Sequence, residues 1–165
     1  MSYPGFKKSS LQAVLLLVLI GLFASDTKAQ QNYKVGAGVH LGSLLGLTIR
    51  YKAASNFGFE IRAGQQKSGY TAALLGQYEW SLDRMETIQL FTGVGAHVGG
   101  FKTGIPDGGD PYRSSYGLDI QAGLEYASPD VPLSLSIDIK PEQNFGAREG
   151  WDPLVIGMNV RYLFY

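Results

Sequence analysis

The sequence predicts an all-β protein: an eight-stranded antiparallel up-and-down transmembrane β-barrel, preceded by a cleavable signal peptide. Three observations predict this fold. They are an apolar stretch near the N-terminus, a period-two alternation of apolar and polar residues in eight later segments, and aromatic residues at the ends of those segments. The chain has 165 residues, of which 45% are hydrophobic and 17% charged, and this length suits a single ordinary domain.

The first 29 residues have the features of a secretory signal peptide. Lys7 and Lys8 supply a positive start, Leu11–Phe23 is apolar, and small residues precede the expected cleavage point at Ala29. The apolar stretch is shorter than the roughly 20 residues that a membrane-spanning helix needs. We therefore expect export of the chain, cleavage after Ala29, and a barrel domain over residues 30–165.

The predicted strands are segments in which successive side chains point to opposite faces of a sheet. Each is bounded by turn residues, and no window has a competing helical stripe. They are Tyr33–Leu41, Leu45–Tyr51, Phe57–Gly64, Ala72–Trp80, Ile88–Val98, Tyr116–Tyr126, Leu133–Lys140 and Leu154–Phe164.

The two faces of these strands differ in composition. One face is almost entirely apolar, whereas the other is rich in glycine and carries charged residues. The charged residues are Lys34, Arg50, Lys52, Glu60, Arg62, Glu79, Asp119, Glu125, Asp138, Lys140 and Arg161. In a soluble barrel the apolar face would form the core, and in a membrane barrel it would face lipid while the charges line the lumen.

Aromatic residues of the apolar face favour the membrane barrel. If both termini lie at the periplasmic end, a girdle of aromatic residues forms there. Its members are Tyr33, Tyr51, Phe57, Tyr78, Trp80, Tyr126, Tyr162 and Phe164. Tyr70, Phe101, Tyr116 and Trp151 mark the opposite end. Amphipathic rings settle at the depth of lipid headgroups, and a water-soluble core has no reason to form two such girdles.

The six basic and five acidic residues of the polar face predict an internal ion-pair network. Eight strands enclose a lumen that side chains just fill, and a buried charge is tolerated when it is paired. We therefore expect a plugged lumen, with a selective pore as the alternative.

The two histidines occupy matching contexts, Gly36–Gly42 around His40 and Gly93–Gly99 around His97. Both are expected to point inward near the outer rim, as members of a recurring small-residue strand or of a duplicated half-barrel. A metal or proton-sensing role is the alternative, but no third ligand lies at a suitable spacing. We predict no metal and no cofactor.

The longest predicted loops, Gly99–Ser115 and Pro141–Pro153, lie at the outer end of the barrel. Exposed aromatic and arginine residues supply much of the energy of protein interfaces. The residues expected to contact external partners or lipopolysaccharide are Tyr112, Arg113, Phe145, Arg148 and Trp151. Nucleic acid is not an expected partner, because Lys+Arg and Asp+Glu are equal at 14 each.

The C-terminal segment Ile156–Tyr165 alternates up to terminal aromatic residues. With this segment, the chain resembles the small outer-membrane β-barrel proteins of the OmpX and OmpA-transmembrane-domain type. The resemblance implies an integral outer-membrane location, contact with outer-membrane lipid and lipopolysaccharide, and recognition of the C-terminal strand by the barrel assembly machinery. We expect a monomeric, non-enzymatic protein that serves surface interaction or envelope integrity. The alternatives are a soluble secreted barrel that binds a small apolar ligand and a barrel-type lipid A-modifying enzyme.

Overall fold

The computed structural model describes residues 33–82, 87–102, 112–146 and 149–165. The predicted signal peptide, the middle of the first long upper loop and Arg148 lie outside the described residues. Within the described ranges, no helix has the length and apolar character needed to cross a membrane.

The described residues form strands that close into an antiparallel barrel. The strands are β1 (Val35–Gly42), β2 (Leu45–Ala54), β3 (Phe57–Gln66), β4 (Gly69–Ser81), β5 (Ile88–Lys102), β6 (Tyr112–Ala127), β7 (Leu133–Ile139), β8 (Glu142–Gly146), β9 (Gly150–Asp152) and β10 (Ile156–Phe164). Each of the first six pairs with its sequence neighbour, and β10 pairs with both β1 and β7. Since β8 extends β7 and β9 extends β10, these residues give the eight-stranded barrel that the sequence predicts.

The segment from β7 to β8 is one strand interrupted at a proline. Both strands pair with β6 in a single register, with Ala122 opposite Ile139 and Asp119 opposite Glu142. Between these pairs, the Ile120 N–H donates to the Pro141 carbonyl over 3.0 Å. Proline has no N–H to return to the ladder, so the pairing is interrupted without any change of face.

The upper loops are shorter than the sequence analysis predicts. The prediction that Pro141–Pro153 forms a loop is wrong, because β8 and β9 within it pair as a hairpin with Glu142 opposite Asp152. The expected loop Gly99–Ser115 is also too long, because β5 and β6 remain paired up to Lys102 and Tyr112. Both hairpins therefore extend the outer end of the barrel as ordered sheet.

The barrel has its apolar residues on the outside. Leu47 is 65% exposed, and Ile120 and Ile137 are each 57% exposed, whereas Arg50 and Asp138 are 0% and 2% exposed. This is the orientation that the membrane-barrel interpretation predicts, with the apolar face outward and the charged face inward.

A bend before β1 reverses the predicted faces of two residues. Tyr33 was expected in the outer girdle, but it is 1% exposed inside the barrel. Lys34 was expected in the lumen, but it is exposed at the lower end. Both residues precede the first ladder pair, Val35 with Phe164, so the alternation of β1 does not constrain them.

The other aromatic residues expected in the lower girdle lie on the outer face. Three contacts between neighbours in this band are edge-on or tilted ring pairs: Phe57 with Phe59 at 5.0 Å, Tyr78 with Trp80 at 4.8 Å and Tyr162 with Phe164 at 4.9 Å between centroids. Of the predicted set, Tyr51, Tyr126 and Phe164 are exposed, and Tyr162 is half-buried.

The residues expected to make loop contacts lie on strands instead. Tyr112 and Arg113 are on β6, Phe145 is on β8 and Trp151 is on β9, and all four are exposed. Tyr112 packs near Tyr70 with ring centroids 5.9 Å apart. The longer hairpins account for this difference, since they extend the sheet into the segments that were predicted as loops.

Candidate functional site

The interior of the barrel is the largest concentration of functional groups in the described residues. Apart from Lys34, every charged residue of the predicted lumen set lies inside and takes part in an ion pair. The residues concerned are Arg50, Lys52, Glu60, Arg62, Glu79, Asp119, Glu125, Asp138, Lys140 and Arg161. Strand alternation positions them all, because each occupies an inward site.

The lower part of the interior is a run of alternating charges. Lys52 Nζ lies 2.9 Å from Glu79 Oε2, and the other Glu79 oxygen lies 3.2 Å from the Arg50 guanidinium. Arg50 then contacts Glu125 Oε2 at 2.5 Å, and the Tyr33 hydroxyl donates to the same oxygen over 2.9 Å. The guanidinium of Arg50 also stacks 4.6 Å from the ring centroid of Phe91. Tyr33 and Phe91 thus bring two aromatic rings into contact with the lower part of the charge run.

The same run continues through the middle of the barrel. Arg161 bridges Glu125 at 3.2 Å and Glu60 at 2.7 Å. Arg62 then joins Glu60 at 2.7 Å to Asp138 at 2.8 Å. Each charge between the two ends of the run, Lys52 and Asp138, therefore has an opposite charge on either side, which is the arrangement that makes burial of ions tolerable.

Neutral polar groups complete the coordination of these carboxylates. Thr48 Oγ1 donates to Glu60 over 2.7 Å, and the Gln77 amide donates to the same carboxylate. Ser134 Oγ donates to Glu125 over 2.7 Å. Buried ions need such additional hydrogen bonds, because two charges alone do not replace a hydration shell.

Inward glycines make space for the long side chains. A Cβ added to Gly123 would overlap with the Phe91 ring and the Asp138 side chain, besides the backbone of the neighbouring strand. Glycine at position 123 is thus explained by close packing inside a narrow barrel.

His40 lies at the upper end of the charge run and is 3% exposed. Its Nδ1 lies 2.7 Å from Asn159 Oδ1, and the Asn159 amide donates to Ser136 and Asp138. Since the amide nitrogen is the donor in those bonds, the Asn159 oxygen accepts, and His40 Nδ1 carries the proton. The imidazole rests over Gly157, where a Cβ would overlap with it.

His97 belongs to a separate upper cluster with Asp119, Lys140, Glu142 and Asn144. Its Nδ1 lies 2.9 Å from Asp119 Oδ1, and its Nε2 lies 3.0 Å from Asn144 Oδ1. Lys140 Nζ contacts both Asp119 at 2.7 Å and Glu142 at 2.6 Å. Sequence reasoning missed Glu142 and Asn144, which it placed in a loop. The signal was the continued alternation of polar residues beyond Pro141.

A small cavity separates the two histidine environments. Its volume is about 10 Å³, and its lining includes His40, Arg62, Asp138, Lys140 and Glu142. This is room for about one water molecule. Neither histidine has a serine as hydrogen-bond partner among the described residues, and both rings face the interior rather than the outer surface.

Comparison with known proteins places the fold. No family model matches the chain, and no curated protein sequence matches it. Among solved structures, the chain is similar to the N-terminal β-barrel domain of OprF from Pseudomonas aeruginosa. The two share 14% sequence identity with a TM-score of 0.58, over 79% of this chain and 95% of that chain. At this identity the likeness establishes the architecture, a small closed antiparallel β-barrel.

Proposed function

We propose that this chain is an integral outer-membrane β-barrel protein, non-enzymatic, with a plugged polar lumen and an outer end that serves surface interaction or envelope integrity. The single observation that carries the proposal is the inside-out distribution of side chains. A soluble barrel that binds an apolar ligand would need the opposite distribution, with the apolar side chains inside.

The outer surface supports a lipid environment. Exposed aliphatic residues occupy the middle of neighbouring strands, such as Ile49, Ile61 and Leu74 at 49%, 52% and 54% exposure. Their positions are directly paired across β2, β3 and β4, so they form a continuous patch. Water-soluble monomers rarely expose continuous apolar patches larger than a few hundred Å². Closure of the barrel leaves no unpaired edge in this region, which a bilayer requires.

The interior supports a plug rather than a wide pore. Arg50, Arg62 and Arg161 are all nearly fully buried, and each is held by carboxylates from other strands. Opening a passage would require several of these pairs to separate. Barrels that conduct solutes freely generally have more strands than eight.

The outer end supports contact with the cell surface environment. Tyr112, Phe145 and Trp151 expose 39%, 37% and 52% of their surfaces there, and Arg113 adds a cation. We assign to this end the contacts with lipopolysaccharide or external partners, and we keep Arg148, which lies outside the described residues, among the proposed contact residues. Phe164 and Tyr165, exposed at 50% and 48%, are the residues we assign to recognition by the barrel assembly machinery.

Three measurements test the proposal. In cells, we expect the mature protein to begin after Ala29 and to fractionate with outer membranes, soluble only in detergent. Unheated samples should migrate differently from boiled samples in gel electrophoresis, because a closed barrel resists detergent until it is heated. In planar lipid bilayers, the purified monomer should give no sustained conductance. Release as a soluble protein would refute the membrane location, and a steady open channel would refute the plug.

A further inference from the structure

The upper interior cluster contains two carboxylates that face each other directly. Asp119 on β6 is the register partner of Glu142 on β8, and both side chains point into the barrel with 2% and 3% exposure. Like charges directly opposite each other destabilise a sheet. This pair therefore requires positive charge beside it, which Lys140 supplies to both carboxylates and the His97 imidazole supplies to Asp119.

Asp119 has an unused ligand atom. Its Oδ1 is in contact with both His97 Nδ1 and Lys140 Nζ, whereas its Oδ2 is buried and has no hydrogen-bond partner. A buried polar atom without a partner is costly, and native structures leave few of them. This Asp119 oxygen lies in the same cluster as the His97 imidazole. A metal ion bound in the cluster could therefore take it as a ligand.

Gly117 allows His97 to reach this pair. Gly117 is the register partner of His97, and a Cβ added to it would overlap with the imidazole ring. The ring can therefore lie across β6 toward Asp119 and Asn144. One ligand atom from each of His97, Asp119 and Glu142 lies within 4.8 Å of the others. Two ligands held about 2.0–2.2 Å from one Zn²⁺ lie at most roughly 4.4 Å apart, so small side-chain movements bring these three atoms to one ion.

We propose that this cluster binds a divalent first-row transition cation, with Zn²⁺ as the representative ion, through the imidazole of His97 and the carboxylates of Asp119 and Glu142. The ammonium of Lys140, whose side chain is 10% exposed, leaves the carboxylates and turns toward the outer mouth. Zn²⁺ then neutralises the two carboxylates once Lys140 has moved, and the His97 nitrogen that binds the ion releases its proton to solvent. The imidazole selects Zn²⁺ over Ca²⁺, because Ca²⁺ takes oxygen ligands.

The other histidine supplies an internal control. His40 has the same local sequence pattern, but its ring contacts Asn159 rather than a carboxylate. The nearest acid to that amide, Asp138, is already held by the guanidinium of Arg62 through two hydrogen bonds. A Zn²⁺ ion at His40 would therefore meet a cation and no available carboxylate.

The test measures the temperature at which the refolded full-length barrel in detergent loses its folded gel band, with Zn²⁺ or with a chelator. Zn²⁺ should raise this temperature for the wild-type protein and for His40→Gln, and the increase should be absent in His97→Gln and Asp119→Asn. Lys140→Met should bind Zn²⁺ more tightly than the wild type, because the competing ammonium is gone. Ca²⁺ should give no increase.

Several outcomes would overturn the proposal. These are no Zn²⁺ effect in either the wild type or Lys140→Met, an equal effect in His97→Gln, or an equal effect of Ca²⁺. Should the His97 and Asp119 variants fail to fold, Co²⁺ added to the wild type decides the matter. Visible absorption bands that Zn²⁺ abolishes and that persist in His40→Gln support the site, whereas a spectrum identical to that of free Co²⁺ overturns it.

Discussion

Removal of the charge on Glu60 should strongly destabilise the barrel. Glu60 is fully buried and sits at the junction of the charge run, between Arg161 at 2.7 Å and Arg62 at 2.7 Å. Glu60→Gln keeps the shape of the side chain but removes its negative charge. The two buried guanidinium groups of Arg161 and Arg62 then lose one of their anionic partners. Loss of one partner from a buried ion pair costs about 3–5 kcal/mol, so we expect a decrease of that size in the free energy of unfolding.

The assay is a guanidinium titration of the protein folded in lipid vesicles, followed by the fluorescence of Trp80 and Trp151 and by the folded gel band. Asp130→Asn, which changes an exposed carboxylate in the turn before β7, is the matched control and should stay within about 0.5 kcal/mol of the wild type. The double variant Glu60→Gln/Arg161→Met removes one charge of each sign. It should cost less than the sum of the two single variants, with a coupling of roughly 0.5–3 kcal/mol.

Two results would refute this reasoning. If Glu60→Gln were as mild as Asp130→Asn, the interior would be hydrated enough to replace the lost anion. If the two single effects simply added, Glu60 and Arg161 would not be coupled, and the charge run would be a set of independent contacts.

Three further predictions concern the lower end, the outer face and the glycines. Tyr33→Phe should lower the free energy of unfolding by about 1–3 kcal/mol, because the buried Glu125 carboxylate loses one hydrogen-bond donor. An unchanged free energy of unfolding would place the ring outside the barrel. Ile61→Arg should lower the free energy of unfolding in vesicles by about 2–4 kcal/mol. The control Ser55→Arg, in an exposed turn, should leave it almost unchanged. Equal effects of the two variants would contradict a lipid-facing surface. Gly123→Ala should lower the free energy of unfolding by about 1–3 kcal/mol through overpacking of the interior, whereas the added methyl of Gly76→Ala meets only ordinary contacts on the outer face. Both variants are measured in the same guanidinium titration. Equal losses would contradict the packing argument.

Period-two alternation predicted the architecture well because it is a local property of a strand. Each residue's face depends only on its parity, and the hydrogen-bond ladder preserves that parity for as long as pairing continues. Arg50 and Asp138 therefore lie inside as expected. The same rule gave the wrong face for Tyr33 and Lys34, since these residues precede the ladder and a bend intervenes.

The ends of the strands were harder to predict, because proline and glycine were interpreted as loop signals. Pro141 interrupts a strand that keeps its register, and the sheet continues into Glu142 and Asn144. A proline without an N–H removes a ladder bond but does not by itself turn the chain. The strand β8 continues to Gly146, whose φ of +83° is readily adopted by glycine.

The pairing of charges inside the barrel is a property of the closed structure and not of any segment. Arg161 and Glu60 are 101 residues apart in the sequence, and Arg62 and Asp138 are 76 residues apart. Parity places all four side chains inside, but the stagger of the closed sheet and the reach of each side chain decide which ones meet. A list of inward charges can therefore be derived from sequence, while the order of the charge run cannot.

The two histidine motifs illustrate the same limit, since a shared local sequence pattern leads to different chemistry. His40 meets an amide from β10, and His97 meets a carboxylate and an amide from β6 and β8. The motif fixes only that each ring points inward with glycine beside it. The neighbouring strands supply the partners, and the difference between Asn159 and Asp119 is enough to make one site neutral and the other acidic. Function in a barrel of this size therefore depends on which strands lie side by side, and a motif within a single strand does not determine it.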